Sequence, residues 1–280
     1  MKTAALITHS HPPAATEAVK IAAEVAEEMG WRLAASQDEL AKHGSAAEGI
    51  DVTAEHTLPD ICLVLGGDGS ILHALRRYAR TEIPVFGVNF GTVGFLAAVE
   101  RADARAGISR ALAGEIETVA LPGLELVCDG VNEVGLNDIT LVRRPHDRVA
   151  ELSYRIAGKE VGHVRCDGLV AATPVGSTGY NLANQGPILA WGVEGYVVSY
   201  ISPHSLTARA LVVAPEDVLH VDNAPEREPV EVAVDGGKVA DLSPGAELEV
   251  RFLDSVSTLA QLPGASFYQR IRDKFGHLAV

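Results

Sequence analysis

Gly66-Gly67-Asp68-Gly69-Ser70 sets three glycines around a single acid, where the apolar run 61–65 ends and a helix-like stretch, 71–78, begins. Glycines uncover backbone N–H groups and permit positive φ, so such a loop wraps an anion at a helix N-terminus, where the dipole also favours negative charge. The pattern outlines a phosphate cradle. An acid inside a phosphate cradle is electrostatically wrong unless it binds a metal or accepts a proton, which makes Asp68 the first candidate for chemistry. The competing reading is a plain strand-to-helix turn, with Asp68 a solvated turn residue or a helix cap.

Three further clusters carry polar groups at element ends. Residues 87–96 hold Gly87, Gly91 and Gly94, spaced for a second loop beside the first, with Asn89 at a strand end and Phe95 read as a core side chain. Gly135-Leu136-Asn137-Asp138-Ile139 puts an amide next to a carboxylate at the opening of a strand, so one corner addresses neighbouring groups of a ligand. Asn-Asp is also a common turn dipeptide. In residues 165–187 a strand, 169–172, is flanked by Asp167-Gly168 and by Gly176-Ser177-Thr178-Gly179-Tyr180. Hydroxyls, free N–H groups and one aromatic ring are a kit for a nucleoside: the ring stacks, and the others take ribose and phosphate. The same composition describes an Ω-loop closing a sandwich edge.

The elements that must position these groups change character near residue 115. Before it, strands at 4–8, 31–35, 61–65 and 83–89 alternate with helical patterns at 14–29, 71–80 and 102–113, the helices closed by Gly30 and Gly114 where these follow. That alternation predicts a doubly wound parallel sheet with ligands at the carboxyl ends of its strands, where Asp68 and Asn89 both fall. The polar stretch 36–55 reads as a surface crossover with a weak helix at 38–43, and His43 and His56 as solvated. Beyond residue 115, β-rich runs at 115–127, 139–142, 150–157, 169–172, 196–201, 211–213, 230–234 and 248–252 lie between turn signals. They predict an all-β sandwich domain, 115–264. A helical face at 267–275, with Phe267, Tyr268, Ile271 and Phe275, predicts a terminal helix that packs back on the first domain and completes it with residues 265–280.

Composition narrows the partners. A chain of 280 residues with 47% hydrophobic and 21% charged residues is that of a globular protein of two domains. The net charge of −14 argues against nucleic acid and anionic membranes, both of which need a basic face. An anionic ligand must then be held by local donors. Cys62, Cys128 and Cys166 form no Cys-x-x-Cys pair and read as buried thiols in a reducing cytosol, so a cytoplasmic location is expected. The apolar run after Met1 is too short for a signal segment, and no stretch approaches the roughly 20 apolar residues of a membrane span.

Taken in order, these motifs resemble those of the NAD kinases, which phosphorylate the adenosine ribose 2′-hydroxyl of NAD. Gly66 to Ser70, Gly87-Val88-Asn89 to Gly94-Phe95-Leu96, Asn137-Asp138, Asp167-Gly168 to Tyr180, and Ser202-Pro203-His204-Ser205-Leu206 carry the resemblance over nearly the whole chain. It implies an α/β domain followed by a β-sandwich, and a site between them. Asp68 would be the general base toward the 2′-hydroxyl, Gly69 would approach the ligand with its backbone, and His73 would stand near it as a basic side chain. Asn89 and Phe95 fall in its second glycine loop and belong to the expected site. Asn137 and Asp138 would hold adenine and ribose, and Asp167 would face the nicotinamide amide. Thr178, Gly179, Tyr180, Asn181, Leu182 and Ala183 would wrap the adenosine, while Arg148 and Arg165 would line the pocket and offset phosphates.

The resemblance also implies ATP or polyphosphate as donor, Mg²⁺ or another divalent ion with it, no metal site built from these residues, and a homodimer or homotetramer. Four positions depart from the family pattern. Ser70 replaces the usual Thr, Asp138 the more frequent Glu, Gly179 an Ala and Ala183 a frequent Ser; Gly237 stands where Gln occurs and is left out of the site. Two other readings compete. Lipid and diacylglycerol kinases share Gly-Gly-Asp-Gly, but do not account for residues 167–180 and would require an apolar groove. A non-catalytic dinucleotide sensor would keep the pocket, and an intact Asp68 counts against it.

Overall fold

Strand and helix alternate through the first part of the chain as β1 (Thr3–Thr8), α1 (Pro12–Glu28), β2 (Arg32–Ala35), α2 (Gln37–Ala41), β3 (Asp51–Val52), β4 (Ile61–Gly66), α3 (Asp68–Arg77), β5 (Pro84–Asn89), β6 (Val99–Glu100) and α4 (Ala104–Leu112). The structure, a computed structural model, describes residues 1–9, 12–53, 58–91 and 94–276. It divides into two units, Met1–Ala120 with Ser257–Val280, and Leu121–Val256.

In the first unit the sheet order is β5-β4-β1-β2-β3, with every pair parallel and β6 beside β5. All six residues of β4 are buried, as a strand covered on both faces requires. Helix α1 lays Ala15, Val19, Ala22 and Ala26 on the sheet and leaves Glu17, Glu24, Glu27 and Glu28 in water, the stripe that a 3.6-residue period dictates. From β1 the chain winds outward through β2 and from β4 outward through β5, so the order reverses between β1 and β4. Open α/β sheets take their ligands outside the carboxyl ends of the strands at such a reversal.

The second part of the chain runs through β7 (Glu117–Cys128), β8 (Val131–Gly135), β9 (Asp138–Arg143), β10 (Ala150–Ile156), β11 (Lys159–Cys166), β12 (Gly168–Ala172), α5 (Tyr180–Ala183), β13 (Tyr196–Ile201), β14 (Leu211–Val213), β15 (Leu219–Asn223), β16 (Val230–Val234), β17 (Gly237–Leu242) and β18 (Glu247–Gln261). Two antiparallel arrays result, β11-β10-β15-β18 and β14-β13-β12-β9-β16-β17. Alternate residues of both, among them Leu152 and Tyr154 from the first and Leu141, Leu169 and Val232 from the second, form one core. This is the sandwich expected from the period-2 runs. The end of β18 belongs to the first unit, where Thr258–Ala260 pair in parallel with Pro84–Phe86, and α6 (Phe267–Phe275) follows it there.

Several expectations need correction. Strands β3, β8, β11, β15 and β17 went unread because their outward faces carry charge, as in Lys-Glu-Val-Gly-His-Val-Arg-Cys of β11, which hides the inner alternation. Helix α3 begins at Asp68, three residues before the apolar pattern. His43 is not solvated: it is 8% exposed and packed between two threonines, while His56 lies outside the described residues. Of the apolar face expected on α6, Ile271 is buried, but Tyr268 is 71% and Phe275 38% exposed, so an apolar stripe does not explain how that helix is attached. The three cysteines are free and buried. Among the described residues no helix is long and apolar enough to cross a membrane.

Candidate functional site

The glycine bend delivers Asp68 to a definite place. Gly67 caps α3 without a side chain, and Asp68, the first helical residue, reaches across to the loop that follows β5. There the N–H of Phe95 donates to Asp68 Oδ2 at 2.7 Å and the N–H of Leu96 donates to Oδ1 at 3.0 Å. A Cβ built on Gly94 would overlap this carboxylate, so only glycine admits the contact. Asp68 is therefore neither a solvated turn residue nor the helix cap. Each carboxylate oxygen accepts one backbone N–H and retains a further lone pair, and the residue is partly exposed.

On the other flank of the same bend, at the reversal between β1 and β4, lies a cavity of about 370 Å³ lined by Thr8, Lys42, Gly67, Gly69, Ser70 and His73 among others. Its outer wall is a polar network. Glu39 Oε2 accepts the N–H and the hydroxyl of Thr8 at 3.0 and 2.7 Å, and Glu39 Oε1 pairs with Lys42. Because the Thr8 hydroxyl proton goes to Glu39, His43 Nε2 donates to Thr8 Oγ1 at 2.8 Å and its Nδ1 accepts from Thr16. Burial pushes the His43 imidazole below its ordinary value, against the pull of Glu39. Sequence reasoning missed Thr8, Glu39, Lys42 and His43; only the strand-order reversal singles them out, and strand order is not written in local pattern.

The remaining first-unit candidates divide. Gly69 and His73 are exposed at the cavity, whereas Asn89 is 2% exposed, donating to Glu100 at 3.2 and 3.0 Å and accepting the N–H of Gly91 at 3.0 Å. Its amide braces the second glycine loop. Phe95 is buried, as read, with its ring 5.7 Å from that of Phe275 and Lys274 above it; it reaches Asp68 through its N–H.

In the second unit the Asn137-Asp138 corner is tied down by a residue the sequence did not reveal. Asp235, in the turn after β16, accepts the N–H groups of Leu136, Asn137 and Asp138 at 3.0, 2.7 and 3.1 Å. Asn137 also accepts the N–H of Thr173 at 2.9 Å on its carbonyl, and a Cβ on Gly176 would overlap that carbonyl. With its backbone consumed, the corner can offer side chains only. The Asp138 carboxyl is 8% exposed and is pushed up to about 7, first by burial and then by the charge of Asp235.

The loop after β12 meets this corner. Thr178 donates to Val175 O at 3.1 Å, Gly179, Tyr180 and Ala183 face solvent, and Leu182 is half-buried. Asn181 is fully buried and donates its Nδ2 to Ser177 O and Pro187 O, both at 3.0 Å, so it pins the loop, while its Oδ1 is buried without a hydrogen-bond partner among the described residues. Asp167 lies elsewhere. In the β9 and β12 ladder Asp138 sits opposite Ala172 and Val142 opposite Gly168, which puts Asp167 at the far end, five residues along and roughly 17 Å away at about 3.4 Å per residue. There Arg143, also unread from sequence, donates to Asp167 Oδ1 at 2.6 Å. A ligand touching both acids must lie extended along the ladder.

Both expected arginines pair with carboxylates of the surface. Arg165 lies on β11 opposite Glu151 and pairs with it at 3.3 Å, in a cluster with Arg227 and His163. Arg148 is 74% exposed and pairs with Glu228 at 3.3 Å. Both guanidiniums are exposed and each is paired with a carboxylate.

Known proteins resemble this chain in sequence and in fold. The model of the ATP-NAD kinase N-terminal domain matches residues 14–116, and that of the ATP-NAD kinase C-terminal domain matches residues 136–259. The chain is similar to an NAD kinase of Symbiobacterium thermophilum, 34% identical over 266 residues that cover 91% of this chain and 94% of that protein. It is also similar to an NAD kinase of Koribacter versatilis, 30% identical over 282 residues, 98% of either chain. Among solved structures, yeast NADH kinase complexed with NADH superposes with a TM-score of 0.88 at 22% identity, covering 100% of this chain and 89% of that one. An NAD kinase from Archaeoglobus fulgidus in complex with ATP gives 0.72 at 23% identity, over 98% and 97%. The last two show the fold; the domain matches and the two bacterial relatives show that the chain belongs to the NAD kinase family.

Proposed function

We propose that the chain transfers the terminal phosphoryl group of ATP, or of another polyphosphate donor, to the adenosine ribose 2′-hydroxyl of NAD, with Asp68 as the general base. The observation that carries this assignment is the Asp68 carboxylate, held at both oxygens by the N–H groups of Phe95 and Leu96 with lone pairs to spare. A base fixed in this way accepts the hydroxyl proton as the ribose oxygen attacks in line, and positioning supplies most of the acceleration. The cavity beside Gly67 and Gly69 suits the donor's phosphates, with the exposed glycine backbone and Lys42 and His73 as local donors in a chain of net charge −14.

Asn137 and Asp138 are the proposed contacts for adenosine, with Tyr180 as a stacking ring, and Asp167, oriented by Arg143, for the nicotinamide end. Among the described residues no group of three or more His, Cys, Asp or Glu side chains is placed to hold a metal ion. The Mg²⁺ in this proposal is the ion that accompanies the donor as substrate, and no step is assigned to it. We infer a homo-oligomer from the edge strands β11 and β14, which leave Val161 and Val212 49% and 47% exposed. A cytoplasmic setting agrees with three unpaired thiols.

The test is incubation of the purified protein with NAD, Mg²⁺ and each of ATP, other nucleoside triphosphates and inorganic polyphosphate, reading NADP through a coupled dehydrogenase. Formation of NADP with at least one donor supports the assignment. Its absence with all of them, while NAD binding is seen by calorimetry, returns the chain to a sensor.

A further inference from the structure

Helix α6 is attached in an unusual way. Its buried apolar contribution is Ile271 alone, yet it sends a guanidinium, Arg270, into the protein. That group donates to the carbonyl of Ala97 and to Gln261 Oε1, and Gln261 Nε2 in turn donates to the carbonyl of Leu96 at 3.0 Å. Lys274 of the same helix stands 4.3 Å above the Phe95 ring. The short segment 95–97 is thus gripped from two sides. Its carbonyls at 96 and 97 are held by Gln261 and Arg270, and its N–H groups at 95 and 96 hold the Asp68 carboxylate.

Burying a guanidinium is costly unless opposite charge and hydrogen bonds offset it. Burial pulls Arg270 below the ordinary guanidinium range, and the carboxylates that oppose this are Asp68, then Glu100, then Asp273. An apolar side chain at 270 would attach the helix with no such penalty. A guanidinium retained here, gripping the segment whose N–H groups hold the acid of the glycine bend, has a use beyond attachment.

We propose that Arg270 is a positioning residue for Asp68. Acting through Ala97, Gln261 and the 95–97 segment, it fixes the direction in which the carboxylate meets the substrate hydroxyl, so the terminal helix is part of the catalytic apparatus. This rests on Asp68 being the base, and the experiment keeps the two claims apart.

Steady-state kinetics are measured for the wild type, R270A, R270K, Q261A, D68N and the double variant R270A/D68N, with folding followed by circular dichroism. A misaimed base costs about 10²-fold, so R270A is expected to lose turnover on about that scale while KM for NAD stays within about threefold. R270K, which keeps charge but not the planar fork, recovers only part, and added methylguanidinium restores R270A further. In the double variant the two losses do not multiply, because Arg270 acts only through Asp68. A purely structural arginine gives the opposite pattern: a lowered melting temperature, unchanged turnover per folded molecule and no rescue. Full turnover in folded R270A, or multiplying losses, overturns the proposal. If R270A does not fold, Q261A and R270K carry the same comparison. Undiminished activity of D68N would instead remove the base assignment, whatever Arg270 does.

Discussion

Asp235 accepts the N–H of Asp138 at 3.1 Å, and the charge it brings there stands beside a carboxyl that is itself buried. One residue therefore both fixes the amide-acid corner and makes its acid reluctant to ionise. Asp138 is pushed up to about 7 from its ordinary value of 3.8. Between those values the folded chain holds a proton that the unfolded chain has released, so stability falls as pH rises through this window, by at most about 1.4 kcal/mol per pH unit. D138N removes the titration. Denaturant unfolding should find D138N more stable than the wild type at pH 8, with the gap closing toward pH 5.

The same titration reaches the acceptor. If the ionised Asp138 takes hydrogen bonds from the ribose, protonation weakens binding, and KM for NAD rises as pH falls through about 7. KM profiles from pH 6 to 8 should show this slope in the wild type and a flat line in D138N.

Gly94 touches Asp68 so closely that no side chain fits. G94A should displace the carboxylate or the loop and cost about 10²-fold in turnover, with KM for NAD changed by no more than about threefold. Initial rates at saturating NAD and donor measure the first, and a titration of NAD the second.

Lys42 enters the cavity beside the glycine bend from α2's C-terminal side, paired with Glu39. Removal of a charge-assisted contact to phosphate is worth about 1.5 kcal/mol or more, about tenfold. K42A should therefore raise KM for the donor about tenfold and leave KM for NAD unchanged, as substrate titrations against each partner will show.

What local pattern encodes was legible. The Gly-Gly-Asp-Gly bend, the alternation of strand and helix before residue 115 and the period-2 runs after it all came from neighbours in sequence. What escaped depends on distant pairs. Asp235 reads as an ordinary turn residue until β16 is placed against β9, and Arg143 as one more surface cation until β9 and β12 align it with Asp167. His43 looked solvated because its partners Thr8 and Thr16 are 35 and 27 residues away. Arg270 is 173 residues from the carbonyl it holds. Arg148 and Arg165 were expected to line the pocket; that Arg165 faces Glu151 follows from the register of β10 with β11, which local pattern does not write. Asn181 is buried and gives its Nδ2 to its own loop, which its place in the sequence does not show.

The central claim is that one carboxylate, Asp68, takes the proton from the ribose hydroxyl. Its most direct test is D68N, which preserves side-chain volume and removes the base: NAD affinity by calorimetry should stay within about threefold of the wild type, while NADP formation under saturating donor falls by about 10²-fold or more. Turnover in D68N equal to that of the wild type would contradict the account.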